Sequence, residues 1–350
     1  MHQSALRSEP NTVSKATTAQ KPSPEYSKIG PDPLSAAVPL PHQVVLFPYG
    51  FPLKLKSNSA TVIRVAERAW GHFVARFREE PIELRFIVDT GITRRRQPAI
   101  PQLKAQSNLL TIIADRNNFA SGDLAAGFGV AFLSQAAVSH AEYLRRYFLE
   151  ALIILLLDTR HVIVLHAACL AHRGHGFLFV GDSGAGKSTL SYACARRGWT
   201  YLTDDMSLLA RRRRGRVVLG NPHTIRFRPT IATLFPEISG PTKLRNGKPT
   251  IEGFTEKLGF AHTAHECEVE FVVFLKRSET PVEKPYLVPV SRETALRRLL
   301  PPIWPEELPI HEERFVAVES ALEAQPYEFF YSDLNQAIDS LEEFASRGTI

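Results

Sequence analysis

Ten residues, Gly181–Leu190 (GDSGAGKSTL), restrict this chain more than any other stretch. Gly181, Gly186, Lys187 and Ser188 satisfy the pattern G-x-x-x-x-G-K-[ST]. In such a loop the glycines let the backbone curl until its N–H groups point at phosphate oxygens, the lysine neutralises the β/γ charge, and the hydroxyl is placed to ligate Mg²⁺. The mechanism needs a strand before the loop and a helix after it, whose positive N-terminal end adds to the anion site. The apolar FLFV and the segment STLSYACARR supply the two. Asp182, Ser183, Gly184, Ala185 and Thr189 complete the expected nucleotide-binding stretch.

A second constellation, YLTDDMSLL, places Asp204 and Asp205 at the end of a short β-branched and aromatic segment. From Lys187 to Asp205 there is room for one short helix and one strand. The acidic pair therefore belongs to the strand after the loop helix, where a neighbouring strand of a parallel sheet delivers carboxylates to the phosphate side. Adjacent residues on a strand face opposite ways. One carboxylate is thus expected to ligate Mg²⁺ and the other to act as a base.

The rest of the chain reads as an accessory unit followed by an α/β unit. VVLFPYGFPLKLKSNS is strand material, and Ser59 is placed to cap a helix over ATVIRVAERAWGHFVARF, with Val62, Val65, Ala66, Ala69, Trp70 and Phe73 on one face. IELRFIVDT, LLTIIAD and GVAFLS are strands, which makes residues 41–140 a small α+β domain without a catalytic constellation. HAEYLRRYFLEALIILLL is a helix leading into the strand VIVLHAACLA, and the tight turn HRGHG returns the chain into GFLFV. FVVFLK is a further strand, and SRETALRRLL and SDLNQAIDSLEEF are capped helices of the α/β unit, residues 141–350. Residues 1–40, rich in Ser, Thr, Pro and Lys, have no apolar core of the kind a secretory signal needs and read as a disordered tail.

Composition excludes several classes. Three cysteines, Cys169, Cys194 and Cys267, are odd in number and lack CxxC pairing, which argues against a disulfide framework or a zinc site and for a reducing, cytoplasmic setting. The apolar run beginning ALIILLL is broken at Asp158, Arg160 and His161, too early for a membrane span. Net charge is +6, but the basic runs Arg94–Arg96 and Arg211–Arg214 carry no interleaved aromatics and read as loop tips, not as a nucleic-acid surface.

The series VLHAACLAHRGHGFLFVGDSGAGKSTL followed by RRGWTYLTDD resembles the catalytic domain of the bacterial HPr kinase/phosphorylase family and its HPr-kinase-like relatives. The likeness covers about residues 162–209. It implies a P-loop domain similar in architecture to ATP-type phosphoenolpyruvate carboxykinase, use of ATP and Mg²⁺, and homo-oligomers by analogy. Carried over by residue, it makes His166 an active-site histidine, Lys187 and Ser188 the phosphate and magnesium residues, Asp205 the proton acceptor, and Asp204 a support for metal or base. The family's downstream Leu-Glu-Ile-Arg-Gly signature has no counterpart; GNPHTIRFRPT occupies that region.

The resulting expectation is a kinase that passes the γ-phosphoryl of ATP to a serine or similar hydroxyl of a protein or peptide. A metabolite kinase and a P-loop ATPase or nucleotide-sensing module that transfers nothing remain as alternatives. Transition-state cations are sought among Arg226, Arg228, Lys243, Arg245 and Lys248, and a further carboxylate at Glu252 or Glu256. The segment Pro241–Phe254 is expected to be a polar loop able to close over the site.

Overall fold

Alternation of apolar and polar residues decides the first half of the chain. Along Ile82–Asp89 the side chains of Ile82, Leu84, Phe86 and Val88 are buried while their neighbours face outward, as a sheet with one covered face requires. The computed structural model describes residues 38–91, 97–211, 216–245, 248–300, 310–323 and 325–347. Nearly all of the expected tail, the basic run Arg94–Arg96 and most of the run Arg211–Arg214 lie outside the described residues.

Seven strands form the first sheet, in the order His42–Leu46, Leu53–Ser57, Ile82–Asp89, Phe128–Ser134, Asn118–Asp123, Leu109–Asp115 and Gln102–Gln106. Ile82–Asp89 runs parallel to both of its neighbours; the remaining pairings are antiparallel. The helix Ala60–Trp70 covers it with Val62, Val65, Ala66 and Trp70, and stops at Gly71, so Phe73 joins the same core from beyond the helix end. Ser59 makes no side-chain cap.

The helical stretch from Ala141 to Arg160 packs on that sheet. Leu152, Ile153, Leu156 and Leu157 belong to the same core as Leu84 and Phe86. Room for Leu152 comes from two glycines paired across neighbouring strands: a Cβ at Gly129 would lie 2.8 Å from Leu84 and 3.5 Å from Leu152, and one at Gly122 3.7 Å from Leu152. A helix apolar on every side is one buried on every side. Among the described residues no helix is long and apolar enough to cross a membrane.

The second sheet is mixed. Its order is Thr200–Thr203, Ala167–His172, His175–Val180, Glu266–Arg277, Val217–Leu219, Ser207–Ala210 and Val162–Leu165, with Tyr327–Tyr331 added beside Glu266–Arg277 and Tyr286–Pro289 beyond it. Helices Lys187–Arg196 and Leu334–Arg347 pack on one face around Trp199 and Phe177, while Arg292–Leu299 and residues of Ile310–Ala321 cover the other around Leu178 and Val272. Ser291 caps the helix Arg292–Leu299 through the Thr294 N–H.

Two expectations change here. VIVLHAACLA is not one strand: it breaks at His166 into Val162–Leu165, paired with Ser207–Ala210, and Ala167–His172, paired with His175–Val180. Pro241–Phe254 is not an open loop; Lys243–Arg245 and Lys248–Phe254 pair as a hairpin and extend to Thr224–Phe227 in a three-stranded sheet.

Candidate functional site

The glycine-rich stretch leaves the end of His175–Val180 and enters the helix Lys187–Arg196. Gly184 and Gly186 take φ of +101° and +95°, a region that side chains with a Cβ enter at a cost. The curl leaves Asp182, Ser183 and Gly184 exposed and the first N–H groups of the helix without a side-chain cap. An uncapped helix start ringed by backbone donors fits an anion. Arg228 and Lys248 lean over this loop, with Arg228 Nη2 3.4 Å and Lys248 Nζ 3.2 Å from Ser183 Oγ.

The acidic pair reaches the same sheet edge by a route the sequence reading did not foresee. Thr200–Thr203 is not the immediate neighbour of the loop strand; antiparallel Ala167–His172 lies between them. Two antiparallel steps restore the original direction, so both outer strands end, and the middle one begins, at one edge. His166 stands at the start of that middle strand. It is an exposed residue at a strand break, not a core histidine.

Side chains then line up across the edge. Lys187, itself buried, donates to the Gly181 carbonyl, and its Nζ lies 3.2 Å from His166 Nε2. Lysine has only donors, so Nε2 accepts and the imidazole proton sits on Nδ1. That nitrogen lies 3.1 Å from Asp205 Oδ1. On the far side Arg226 Nη1 is 3.9 Å from Asp205 Oδ2, and Arg226 Nε is 3.4 Å from Glu252 Oε1. The His166 hydrogen bond, opposed by partial burial and helped by Arg226 and Arg245, holds the Asp205 carboxyl down at about 2. Burial pulls the Lys187 ammonium below its ordinary value against the attraction of Asp205, Asp182 and Asp204.

Asp204 has the opposite environment. Its carboxylate is 3% exposed and accepts from Ser188 Oγ at 2.7 Å, the Arg226 N–H at 3.1 Å and the Tyr201 hydroxyl at 3.1 Å. Burial nonetheless raises its pKa. Two hard oxygens, Ser188 Oγ and Asp204 Oδ2, thus meet beside the loop. That donor set fits Mg²⁺, which takes one or two protein oxygens and completes its shell with water and phosphate. Among the described residues no group of three His, Cys, Asp or Glu converges on a point.

A cavity of about 300 Å³ opens on the Asp205 side. Asp204, Asp205, Arg226 and Arg245 line it from one half of the chain, and Tyr49, Trp70, Arg146 and Glu150 from the other. Of the cations named from sequence, Arg228 and Lys248 stand at the loop and Arg226 and Arg245 at the cavity; Lys243 lines neither. Glu252 pairs with Arg226 instead of approaching the loop serine. Sequence reasoning missed Tyr201, the partner of Asp204; Tyr331, whose hydroxyl reaches the Ala185 carbonyl at 3.3 Å; and the cavity walls at Tyr49, Trp70 and Arg146. Nothing in the sequence flags these positions as parts of a site.

No family model and no curated protein matches the chain. Among solved structures the chain is similar to the Hpr(Ser) kinase/phosphatase from Coxiella burnetii, with 15% identity, 53% of this chain and 93% of that chain covered, and a TM-score of 0.28.

Proposed function

We propose that the chain is an ATP- and Mg²⁺-dependent phosphotransferase acting on a hydroxyl group. The observation that carries this reading is the line Lys187, His166, Asp205, in which a phosphate-loop lysine and a carboxylate share one imidazole at 3.2 and 3.1 Å. The loop N–H groups and Lys187 hold the β- and γ-phosphates of ATP, with Arg228 and Lys248 over the loop to offset the charge that spreads on the transferring group. Ser188 and Asp204 would hold Mg²⁺, which would neutralise charge on the phosphate oxygens. Asp205 takes the proton of the acceptor hydroxyl as that oxygen bonds to the γ-phosphorus and the bond to the β-phosphate oxygen breaks, releasing ADP. His166 orients Asp205 through Nδ1–H and keeps it ionised.

The acceptor that follows from the sequence resemblance is a serine-like hydroxyl of a protein or peptide. A second reading, a metabolite kinase, is favoured by one observation: Asp205 lines a half-open cavity of about 300 Å³, at the lower end of the size of small-ligand pockets. Asp205→Asn tests the assignment without knowledge of the acceptor. ATP turnover, with water as surrogate acceptor, should fall by about two to four orders of magnitude while ATP·Mg²⁺ affinity stays within a few-fold. Turnover equal to that of the parent protein removes Asp205 as the base.

A further inference from the structure

The walls of the cavity beside Asp205 are irregular in ways that packing alone does not demand. Tyr49 is held at φ +53°, ψ +22°, a left-handed conformation that is uncommon for an aromatic residue. The helical stretch carrying Arg146 and Glu150 winds as a π-turn over Arg145–Glu150 between regular helix on either side. Single π-turns and left-handed non-glycine residues concentrate at functional sites, because each costs stability that the surroundings must make up. Both irregularities fall on the same cavity, opposite the carboxylate assigned as base.

Charge at the cavity is uneven. Arg145 is paired with Glu142 and Glu150, and Arg226 with Asp205 and Glu252. Arg245 has no ion-pair partner among the described residues, although it lines the cavity together with Arg146 and Arg226. Burial, with the repulsion of Arg226 and Arg146, outweighs the attraction of Glu150 and Asp205 and brings its guanidinium down to about 10. Trp70, Ile153 and Ile154 add an apolar wall. A half-buried cation with no ion pair of its own is relieved by an anion, and the apolar patch of Trp70, Ile153 and Ile154 in an otherwise polar lining suits a short carbon skeleton.

We propose that this cavity is the acceptor subsite and takes a small molecule bearing an anionic group and a hydroxyl, a hydroxy acid or a hydroxyalkyl phosphate, with the anion on Arg245 and the hydroxyl toward Asp205. The assignment rests on the phosphotransfer reading for the role of Asp205, but the anion site stands on the cavity and Arg245 alone. A folded protein cannot enter a space of this size, and a peptide could offer only one side chain.

The test titrates the full chain, saturated with ADP·Mg²⁺ to fill the loop, with D-glycerate, glycerol 3-phosphate and uncharged glycerol by calorimetry. At least one anion should bind in the millimolar range or tighter, and glycerol at least tenfold more weakly. Arg245→Gln should weaken the anion at least tenfold, Arg245→Lys should recover part of the loss, and Ile154→Trp, which fills the cavity without changing charge, should block binding. Equal binding of anion and glycerol, or of anion to parent and Arg245→Gln protein, overturns the subsite. Labelled ATP with the same compounds and with a C-terminally amidated serine peptide separates the two proposals. If anions bind through Arg245 and no label moves, phosphotransfer falls and the anion site remains. If label reaches the peptide equally well in parent and Arg245→Gln protein, the cavity is not the acceptor site.

Discussion

Replacing Gly186 by alanine should cost the protein several kcal/mol, and replacing Gly184 in the same loop should cost much less. Both glycines sit at positive φ, +95° and +101°, so an alanine at either carries the backbone penalty of the left-handed region, about 1–2 kcal/mol. They differ in what a new methyl group meets. At Gly184 no atom lies within 4 Å of the position, whereas at Gly186 the methyl would stand 2.7 Å from the Tyr331 hydroxyl. Tyr331 is 1% exposed and stacked on Phe329 at 5.3 Å, so it cannot swing aside. Its displacement also lengthens the hydrogen bond to the Ala185 carbonyl. Overpacking of this kind adds about 1–3 kcal/mol, giving a total of about 2–5 kcal/mol for Gly186→Ala. Urea denaturation of the two variants and the parent measures the difference directly, provided the m-values agree. The informative quantity is the gap between the two variants, from which the shared backbone penalty cancels. A Gly184→Ala protein as unstable as Gly186→Ala, or more so, refutes the bracing role of Tyr331. On the proposed nucleotide-binding role of this loop, nucleotide affinity should fall in both variants, because both reshape its backbone.

Other consequences follow from single contacts. Ser188→Ala removes one of the two oxygens beside the loop and should weaken Mg²⁺-dependent nucleotide binding roughly tenfold, read by titrating Mg²⁺ at fixed ATP, with little change in stability. Asp158 is paired with Arg314 in the core, both about 3–4% exposed, and also accepts from the Val164 N–H at 2.7 Å. Asp158→Ala strands a buried guanidinium and should cost about 3–5 kcal/mol, whereas Asp158→Leu combined with Arg314→Met should recover much of that in the same denaturation experiment. His72 packs against His223 and near His265, and burial first, then the two neighbouring histidines, lower it from 6.5 to about 4. The folded state therefore holds this ring neutral while the unfolded chain binds a proton below 6.5. Stability should fall as pH drops from 6.5 toward 4, by on the order of 1–2 kcal/mol once partial solvent screening is allowed for. A His72→Phe protein that loses stability over that range as steeply as the parent contradicts the assignment.

The parts of the site that were legible in the sequence are those held by short-range geometry. Gly181 to Thr189 and the pair Asp204 and Asp205 are separated by one helix and one strand, so strand–loop–helix logic alone brings them to one edge. His166 was legible only through its spacing from the loop; local pattern made it part of a continuous apolar strand. Its role depends on the chain switching pairing partners there, from Ser207–Ala210 to His175–Val180, and periodicity does not record which strand a residue will pair with. The hairpin at Lys243–Phe254 was hidden because its strands are polar and contain Pro249, both of which read as loop. Tyr49, Trp70 and Arg146 could not be found at all, since they reach the site only after the first sheet has folded and carry no motif of their own.

The inserted antiparallel strand also accounts for the layout of the chemistry. Neighbouring strands lie about 4.8 Å apart, so the acidic strand stands roughly 10 Å from the strand that feeds the phosphate loop. Asp204 crosses that gap by meeting Ser188, the second residue of the helix Lys187–Arg196. Asp205, pointing the other way, cannot reach the loop directly, and His166 at the head of the middle strand fills the space between it and Lys187. The two carboxylates are thereby divided: Asp204 is buried against Ser188 and Tyr201, while Asp205 is held ionised by His166 and Arg226, and both border the cavity. A strand order with Thr200–Thr203 directly beside His175–Val180 would bring both carboxylates about 5 Å nearer the glycine-rich loop and leave no place for His166 between Asp205 and Lys187. On the proposed phosphotransfer reading, the interposed strand, more than the glycine-rich loop itself, is what makes room for a second substrate.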